Sequence, residues 1–431
     1  MSTSIALQKK TLYFKLLPAT VMGNALEFFD FTIYAIYAAT IGRVFFPMED
    51  PTISLLASWA IFAVGFIMRP LGALVFGYFG DTVGRKLSLS TTILLTGLPT
   101  LIIGLLPGYN QLGLMAPLIL ILCRLLQGLC TGGEYNGAAI FALEHVGKIK
   151  PGTVGGIITA SCVIGAMTAT FSGFLISNYG AEWMWRLPFI FGAFISFIGF
   201  FIRTFMNETP EFAALKEKKM TKHVGLLEIY SSYPISSFIS FIVGSLNGAL
   251  SYTLFGFLNV YMSKYLGLDP AVAMKYNLLG LSFFMFGCPV AGYFLDRVGG
   301  NKAMITAGIL LLFGAFPVFF LLQTLNPPLI LIGQSLLGIF VASIAGAGHG
   351  FMQTLFPTPA RYRGVSINFC IGMAACGGTA PMLLTYLIEA RHATLYSPAI
   401  YLMLLAATFI LCLSLYSRSR TGHKKVLASA V

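Results

Sequence analysis

The chain has 431 residues, of which 57% are hydrophobic and only 10% are charged, and its mean hydropathy is +0.83. Soluble globular domains carry about 25% charged residues, so this composition excludes a soluble domain and indicates an integral membrane protein. The net charge of +12 is spread over many short segments between apolar runs, which favours a topology signal over a nucleic-acid-binding surface.

Twelve apolar runs follow one another along the chain, each long enough to cross the roughly 30 Å of hydrocarbon in a bilayer. We interpret them as the twelve transmembrane helices of an all-α integral membrane protein, arranged as two pseudo-symmetric six-helix bundles. The runs lie at about 16–40, 52–76, 87–107, 114–143, 152–178, 186–206, 230–262, 273–294, 301–323, 327–355, 364–390 and 394–417.

A repeated loop supports the division into two bundles. Residues 77–86 (GYFGDTVGRK) and 292–302 (GYFLDRVGGNK) each end an apolar run, and they lie half the chain length apart. Duplicated bundles around a central path are typical of secondary transporters. The predicted organisation is an N-terminal bundle at 1–206, a cytoplasmic linker at 207–228, a C-terminal bundle at 229–417 and a cytoplasmic tail at 418–431.

The basic residues orient these bundles. Most of the 27 Lys and Arg residues lie in segments on the same side of the predicted spans as the N-terminus, and cytoplasmic segments carry such an excess. We therefore predict a multi-pass protein of the cell (inner) membrane with both termini in the cytoplasm. The expected partners are membrane lipid, protons and a small-molecule substrate, with no nucleic acid, and the expected state is a monomer.

Other functional classes lack their sequence signals. No glycine-rich loop is followed by Lys-Ser or Lys-Thr, so a P-loop nucleotide site is not expected, and the predicted energy source is a proton gradient rather than a cofactor. No cluster of nucleophile and base indicates an enzyme or a receptor with a catalytic domain. No metal site or disulfide is expected from the seven cysteines, because all lie in predicted spans: Cys123, Cys130, Cys162, Cys288, Cys370, Cys376 and Cys412.

Ionisable residues inside the spans are concentrated in the first bundle. An ionisable side chain at the bilayer centre costs at least about 2.5–3.5 kcal/mol, so each one points to a function. Glu27 and Asp30 lie on one stripe of the first span, because residues three and four apart share a helix face. In the fourth span, Arg124, Gln127 and Glu134 form a second polar stripe. We expect the two stripes to face each other or a common cavity.

These stripes suggest how a proton could be coupled to transport. A carboxylate beside an arginine stays ionised, whereas a carboxylate that loses this partner in a low dielectric can take up a proton. We predict that Asp30, Glu27 and Glu134 couple the proton. The alternative is a permanent ion-pair network that clamps the helices together, an interpretation that applies most strongly to Glu134.

The repeated loops place an aspartate beside basic residues at the end of a span. Such a cluster can latch one conformation, because its charges can contact neighbouring carboxylates or helix ends. The predicted gating residues are Asp81, Arg85 and Lys86 in the first loop and Asp296 and Arg297 in the second. The alternative, an anchor of basic residues at the cytoplasmic surface, accounts for the basic residues but not for the repeated aspartate.

The candidate substrate groups fit a zwitterion, with a mono- or dicarboxylate as the second choice. Arg124 and Arg69 can bind a carboxylate through two parallel hydrogen bonds, and aromatic faces attract a quaternary ammonium. For the aromatic residues, packing or an interfacial belt is the alternative; for the histidine and the asparagines it is hydrogen bonding within the bundle. The predicted substrate-binding residues are Arg124, Gln127, Tyr34, Phe28, Tyr135, His349, Asn247 and Asn368.

Several motifs resemble those of a known family. Segment 77–86 resembles the loop between spans two and three of the major facilitator superfamily. Segments 23–31 (GNALEFFDF), 69–72 (RPLG), 124–128 (RLLQG), 132–138 (GGEYNGA), 185–189 (WRLPF) and 208–212 (ETPEF) are similar to the metabolite:proton symporter family, and within it to proline/betaine transporters. This resemblance implies the major facilitator fold and inward symport of a small metabolite with a proton.

The chain departs from this pattern at two places. The second gate loop reads Gly299-Gly300-Asn301-Lys302 where the first has Gly84-Arg85-Lys86, which predicts a weaker latch. The short basic tail lacks the long heptad-bearing extension associated with osmosensing proline/betaine carriers, so osmotic activation is not expected. We therefore expect a proton-coupled secondary transporter that imports a small metabolite by alternating access; the alternative is a proton-coupled exporter (antiporter) of drugs or metabolites.

Overall fold

The structure, a computed structural model, describes residues 23–82, 85–146, 150–204, 225–389 and 394–429. These residues are helical almost throughout, and they contain no strand. Each of the twelve predicted apolar runs overlaps one helical segment, and we label these segments α1 to α12. We call α1–α6 the first half of the molecule and α7–α12 the second half.

The helices of the first half are α1 (Gly23–Ile36 and Ala38–Phe45), α2 (Pro51–Ile67 and Arg69–Thr82), α3 (Arg85–Leu105), α4 (Met115–Val146), α5 (Pro151–Tyr179) and α6 (Leu187–Thr204). Those of the second half are α7 (Pro234–Tyr265), α8 (Pro270–Val298), α9 (Gly300–Gln323), α10 (Pro327–Gln353), α11 (Thr358–Gly372, Met373–Gly378 and Ala380–Glu389) and α12 (Ser397–Ser429). Three short helices, Tyr109–Leu112, Glu182–Arg186 and Leu226–Ser232, connect them.

Length and hydropathy identify most of these helices as membrane spans. Ten described helices are long and apolar enough to cross a bilayer, and the two parts of α1, bent by 63° relative to each other, can form an eleventh span. The remaining segment, α3, is apolar over Ser90–Leu105. This result confirms the predicted all-α membrane fold. The predicted linker lies mostly outside the described residues, so the proposed domain boundaries stay a prediction.

Proline and aspartate define many helix starts. Proline occupies the beginning of α2, α5, α7, α8 and α10, where its missing N–H leaves no hydrogen bond unmade. The Asp50 side chain accepts from the Thr52 amide at 2.7 Å, and the Asp269 side chain accepts from the Ala271 amide at 2.8 Å. Both carboxylates satisfy amides that have no partner within their own helix.

A close approach of α2 and α4 positions the polar centre of the molecule. A Cβ atom at Gly128 of α4 would overlap the carbonyl oxygen of Gly65 of α2, so only glycine permits this packing. Small residues at such crossings let membrane helices pack backbone against backbone. Because Arg124 lies one turn before Gly128 and Arg69 one turn after Gly65, both arginines are brought to the same region.

The surface of the bundle is apolar. Large side chains such as Phe194, Phe313 and Leu404 are each more than 60% exposed, which suits contact with lipid tails rather than water. The end of the chain differs from the expected boundary, because α12 continues through Ser429 into the predicted tail. The sequence from 419 to 429 contains no proline that would end the helix.

Candidate functional site

A chain of hydrogen bonds links Arg124 of α4 to Asp30 of α1. Arg124 Nη1 donates to Gln127 Oε1 at 2.9 Å, Gln127 Nε2 donates to Thr100 Oγ1 at 2.8 Å, and Thr100 Oγ1 donates to Asp30 Oδ2 at 2.9 Å. All four side chains are buried. Every donor points toward the carboxylate, and such chains polarise one another in a low dielectric. The two predicted stripes are therefore brought together, but through Thr100 of α3 rather than by a direct ion pair.

Thr100 can give its hydroxyl proton to two acceptors. Its Oγ1 lies 2.9 Å from Asp30 Oδ2 and also 2.9 Å from the Thr96 carbonyl oxygen one turn earlier. A hydroxyl has one proton, so it can donate fully to only one of the two. Thr100 thus has two possible hydrogen-bonding arrangements. Which one forms depends on whether Asp30 accepts a hydrogen bond from Thr100 or donates one to it.

Arg124 is also surrounded by aromatic faces. Its guanidinium carbon lies 4.5 Å from the ring centre of Phe31 and 4.4 Å from that of Tyr34, and the Tyr34 hydroxyl donates to the Ser58 carbonyl oxygen at 3.1 Å. Such contacts stabilise a desolvated guanidinium. Among the described residues, Nε and Nη2 of Arg124 have no hydrogen-bond partner. The Nε–H and Nη2–H groups of a fully buried arginine are therefore available to an anionic or carbonyl group.

A hydrogen bond between Arg69 and Tyr252 joins the two halves close to Arg124. Arg69 Nη2 donates to the Tyr252 hydroxyl of α7 at 3.2 Å, and its guanidinium carbon lies 4.2 Å from the ring centres of both Phe31 and Phe66. Phe31 thus contacts both arginines. Sequence reasoning missed Tyr252, because a tyrosine in an apolar span carries no local signal of a contact made with another helix.

The structure says less about the other two predicted proton-coupling residues, Glu27 and Glu134. Glu27 is buried, with 4% of its surface exposed, as its place on the stripe with Asp30 predicts. Glu134 lies on α4, but its side chain is outside the described ones, and the same holds for the predicted substrate residue Tyr135. Their roles stay predictions.

The remaining substrate-binding candidates, one in the first half and three in the second, lie in different local environments. The Phe28 ring of α1 packs edge-on against Phe255 of α7, with centroids 6.0 Å apart. The His349 ring lies 5.0 Å from that of Phe369. Asn247 accepts from Ser251 of its own helix at 3.3 Å, and Asn368 donates to the Gly364 carbonyl oxygen of its own helix at 2.7 Å. The two asparagine side chains therefore bond locally.

Asp296, a predicted gating residue, caps a helix of the other half. Its Oδ1 accepts from the Gly152 amide at 2.7 Å, and its Oδ2 accepts from the Thr153 amide at 2.8 Å and the Thr153 hydroxyl at 2.7 Å. These groups lie at the start of α5, where amides lack partners within the helix and the helix dipole favours a negative charge. A carboxylate of α8 thus holds the start of α5.

The same place shows a close backbone contact. A Cβ atom at Gly152 would overlap the Gly292 carbonyl oxygen, and one at Gly350 of α10 would lie 2.7 Å from the Gly152 Cα. The two halves are therefore closed against each other here, and we call this region the Asp296 end. Arg297 stacks on Tyr293, with its guanidinium carbon 5.1 Å from the ring centre. In the first gate loop, the side chains of Asp81, Arg85 and Lys86 lie outside the described ones.

A lysine contacts both halves at the opposite end of the molecule. Lys264, at the end of α7, lies 2.7 Å from Glu389 Oε1 of α11 and donates to Thr52 Oγ1 of α2 at 3.1 Å. We call this region the Lys264 end. Both charged side chains are about one-third exposed, so this pair is screened by solvent far more than the buried chain around Arg124.

Comparisons with known proteins agree with this architecture. Residues 20–381 match the Major Facilitator Superfamily. The chain is 34% identical to the inner membrane metabolite transport protein YhjE of Escherichia coli, over 94% of each chain. It is 32% identical to the glycine betaine/proline/ectoine/pipecolic acid transporter OusA of Dickeya dadantii, over 92% of this chain and 82% of that protein.

A solved structure shares the fold. The proton:xylose symporter XylE bound to 6-bromo-6-deoxy-D-glucose superposes with a TM-score of 0.75 at 12% identity, covering 95% of this chain and 96% of that one. At this identity the likeness concerns the fold alone. The family match and the two relatives, by contrast, cover most of the sequence. This chain therefore belongs to the Major Facilitator Superfamily, and it is a multi-pass membrane transporter of small molecules rather than an enzyme.

Proposed function

We propose that this transporter couples the import of a small metabolite to a proton by alternating access. The observation that carries the proposal is the buried chain from Arg124 through Gln127 and Thr100 to Asp30. A carboxylate and a guanidinium at membrane depth are energetically costly, and residues of this kind mark substrate and proton pathways. Here the neutral side chains of Thr100 and Gln127 separate the two charges. Asp30 can therefore gain a proton without depriving Arg124 of a direct ion-pair partner.

The shared proton of Thr100 supplies the switch. When Asp30 is ionised, the Thr100 hydroxyl donates to it and the chain is aligned toward the carboxylate. When Asp30 carries a proton, it can donate to Thr100 Oγ1, and the Thr100 hydroxyl turns to the Thr96 carbonyl oxygen. Protonation of Asp30 thus changes which hydrogen bonds Thr100 makes, and Thr100 is the group to which Gln127 donates. We place the substrate at the far end of this chain, beside Gln127 and Arg124.

The substrate we propose is a zwitterionic osmolyte or amino acid, or else a small carboxylate. The two unpartnered N–H groups of Arg124 can receive a carboxylate through two hydrogen bonds. Phe28 provides an aromatic face for a cationic group, whereas the Tyr34 ring already faces the Arg124 guanidinium and would bound the carboxylate end of the site. The name of the Dickeya relative, a transporter of glycine betaine, proline, ectoine and pipecolic acid, supports the zwitterion as first choice.

The two ends of the molecule are proposed as gates. We place the Asp296 end in the cytoplasm, with both termini, because the basic residues accumulate on that side, and we place the protein in the cell membrane as a monomer. Release of the substrate inward then requires Asp296 to leave the start of α5. Entry from outside requires separation at the Lys264 end.

The test is uptake into proteoliposomes under an inside-alkaline pH gradient. Labelled glycine betaine, proline, citrate, 2-oxoglutarate and shikimate form the panel, and we expect one compound to accumulate only when the gradient is imposed. Asp30→Asn, which keeps the shape but cannot ionise, should abolish accumulation while exchange of substrate between equal pools continues. Accumulation by Asp30→Asn against a gradient would show that the proton binds elsewhere. Proton-driven extrusion of a compound would identify an exporter instead.

A further inference from the structure

A cavity of about 610 Å³ lies inside the first half, near the Lys264 end. Every residue that lines it belongs to the stretch from Tyr37 to Arg186, and one of them, Ser177, also contacts Met274 of α8, with Oγ 3.9 Å from the sulfur. The lining side chains used below are Tyr37, Arg43, Ser177, Glu182, Trp185 and Arg186. None of them belongs to the Arg124 chain, and the proposed substrate route leaves this cavity without a role.

The bend of α1 shapes the cavity. The two parts of α1 meet at Tyr37 with an angle of 63°, and the second part packs on the start of α2, where a Cβ atom at Gly42 would lie 2.6 Å from the Ser54 carbonyl oxygen. Ser54 Oγ also donates to the Phe46 carbonyl oxygen at 2.6 Å. This contact holds the end of α1 on α2, and the cavity occupies the space between α1, the end of α5 and the start of α6.

Asp30 lies below this cavity on the same face of α1. Tyr37 follows it by seven residues, which is two helical turns or roughly 10 Å. The Asp30 carboxylate faces α3, where Thr100 donates to Oδ2, and α6, where a Cβ atom at Gly192 would lie 2.9 Å from Oδ1. Oδ1 has no hydrogen-bond partner among the described residues. The proton-accepting oxygen thus faces the interior of the first half.

The short helix before α6 and the first turns of α6 lead from the cavity toward Asp30. Trp185, on the short helix Glu182–Arg186 before α6, lines the cavity, and its ring lies 5.8 Å from that of Phe189. Gly192, three residues after Phe189 on α6, adjoins Asp30. Phe189 is 1% exposed, and its ring centre is 6.5 Å from that of Tyr37. One buried phenylalanine therefore separates the cavity from the carboxylate.

We propose that this cavity is the proton entrance of the transporter. When the Phe189 ring turns aside, a hydronium ion from the cavity reaches Asp30 past Tyr37, transfers its proton to Oδ1 and leaves a water molecule, while the substrate enters by the cleft between the halves. The two routes meet only at the chain that joins Asp30 to Arg124. This inference rests on the proposed proton coupling.

The charges around the route are few. In the cavity lining they are Arg43 of α1 and Glu182 and Arg186 of the short helix before α6; α5 and the connection before α4 contribute none to it. Arg186 donates to the carbonyl oxygens of Gly104 and Leu106 at 3.1 and 2.6 Å, so it is fixed in the wall. At Asp30, the charge joined to it through the described hydrogen bonds is Arg124, and the titratable group on the same face of α1 is Glu27, which is buried three residues earlier.

The experiment compares two transport modes in proteoliposomes. Gradient-driven uptake needs the proton, whereas exchange between equal substrate pools without a pH gradient needs only substrate binding and alternating access. The probe is labelled glycine betaine or whichever compound of the panel above the protein accumulates. Tyr37→Phe removes the hydroxyl at the cavity floor, Ser177→Trp fills the cavity from α5, and Tyr276→Phe on α8 is the matched control.

We expect Tyr37→Phe and Ser177→Trp to lower gradient-driven uptake about tenfold, which corresponds to a barrier about 1.4 kcal/mol higher for proton entry, with exchange within about twofold of the unmodified protein. Tyr276→Phe should leave both modes unchanged. Equal loss of uptake and exchange would assign the cavity a structural role, and unchanged uptake in both variants would place the proton route in the cleft. Absence of gradient-driven uptake by the unmodified protein would instead overturn the proposed coupling, and this inference with it.

Discussion

The two halves of the molecule use buried polar groups in different ways. In the first half, Asp30 and Arg124 are linked across three helices by hydrogen bonds. In the second half, the buried amides of Asn247 and Asn368 bond within their own helices, and that of Asn277 on α8 donates to an uncharged backbone carbonyl, that of Leu254 on α7, at 2.8 Å. A polar group satisfied by its own helix stabilises local structure, whereas one satisfied by another helix responds to movement between helices.

The second half contributes instead through groups that reach across to the first. Tyr252 accepts from Arg69, and Asp296 caps the start of α5. The repeated gate loops make the two halves similar in sequence. The buried charged residues described above nevertheless lie in the first half, and Tyr252 and Asp296 of the second half contact the first. The variants below test this division.

The largest effect is expected at the centre of the first half. Arg124→Lys keeps the charge but loses the planar group that bonds to Gln127 and stacks on Phe31, so uptake should fall about 100-fold or more. The measurement is initial uptake rate together with binding of the substrate to purified protein. Arg418→Lys, at an exposed position, is the control. Uptake by Arg124→Lys close to that of the unmodified protein would show that a point charge suffices.

A smaller loss is expected where the chain passes through α3. Thr100→Val keeps the shape but removes the hydroxyl between Asp30 and Gln127, and one hydrogen bond to a charged group corresponds to about 10- to 100-fold. Gradient-driven uptake should fall by that factor and exchange by less, since exchange does not require the proton. Thr100→Ser retains the hydroxyl and should recover most of the rate. Equal rates for the valine and serine variants would remove Thr100 from the coupling path.

The sequence predicted the stripes but not this connection. Glu27, Asp30 and Arg124 stand out because charge is rare in apolar spans, and helical spacing then assigns their faces. Thr100 does not stand out, because hydroxyls in apolar helices commonly bond to the carbonyl one turn earlier, as Thr96 does with Thr92. Only the packing of α3 between α1 and α4 turns Thr100 into a link.

The same limit applies to the gate. The repeated loop predicts a gating role for Asp296, which stays a prediction, and the all-α membrane fold followed from hydropathy. The partners of Asp296, the amides of Gly152 and Thr153, are backbone groups that the sequence does not distinguish from those at any other helix start. Contacts between distant helices depend on how the halves dock, and a single sequence holds no direct record of that.

At the Asp296 end, removal of the cap should alter gating more than binding. Asp296→Ala leaves the start of α5 without its carboxylate, a loss of about 0.5–2 kcal/mol, which shifts the closed population about two- to thirtyfold. Asp269→Ala is a matched control, because that carboxylate caps its own helix α8 and joins no other half. We expect only Asp296→Ala to change the maximal rate, with the substrate KM within about twofold. A large rise in KM would indicate a direct role in binding.

The smallest effect is expected for a buried amide of the second half. Asn368 donates to the Gly364 carbonyl oxygen, so Asn368→Ala removes a bond inside α11 and should change uptake by less than about threefold. Gln127→Ala removes the same type of amide from the first half, where it carries the chain between Arg124 and Thr100, and should cause a much larger loss. Parallel uptake and binding measurements on the two variants decide the matter. If Asn368→Ala abolished substrate binding while the protein stayed folded, the amide would have to leave Gly364 to contact substrate, and both halves would form the binding site.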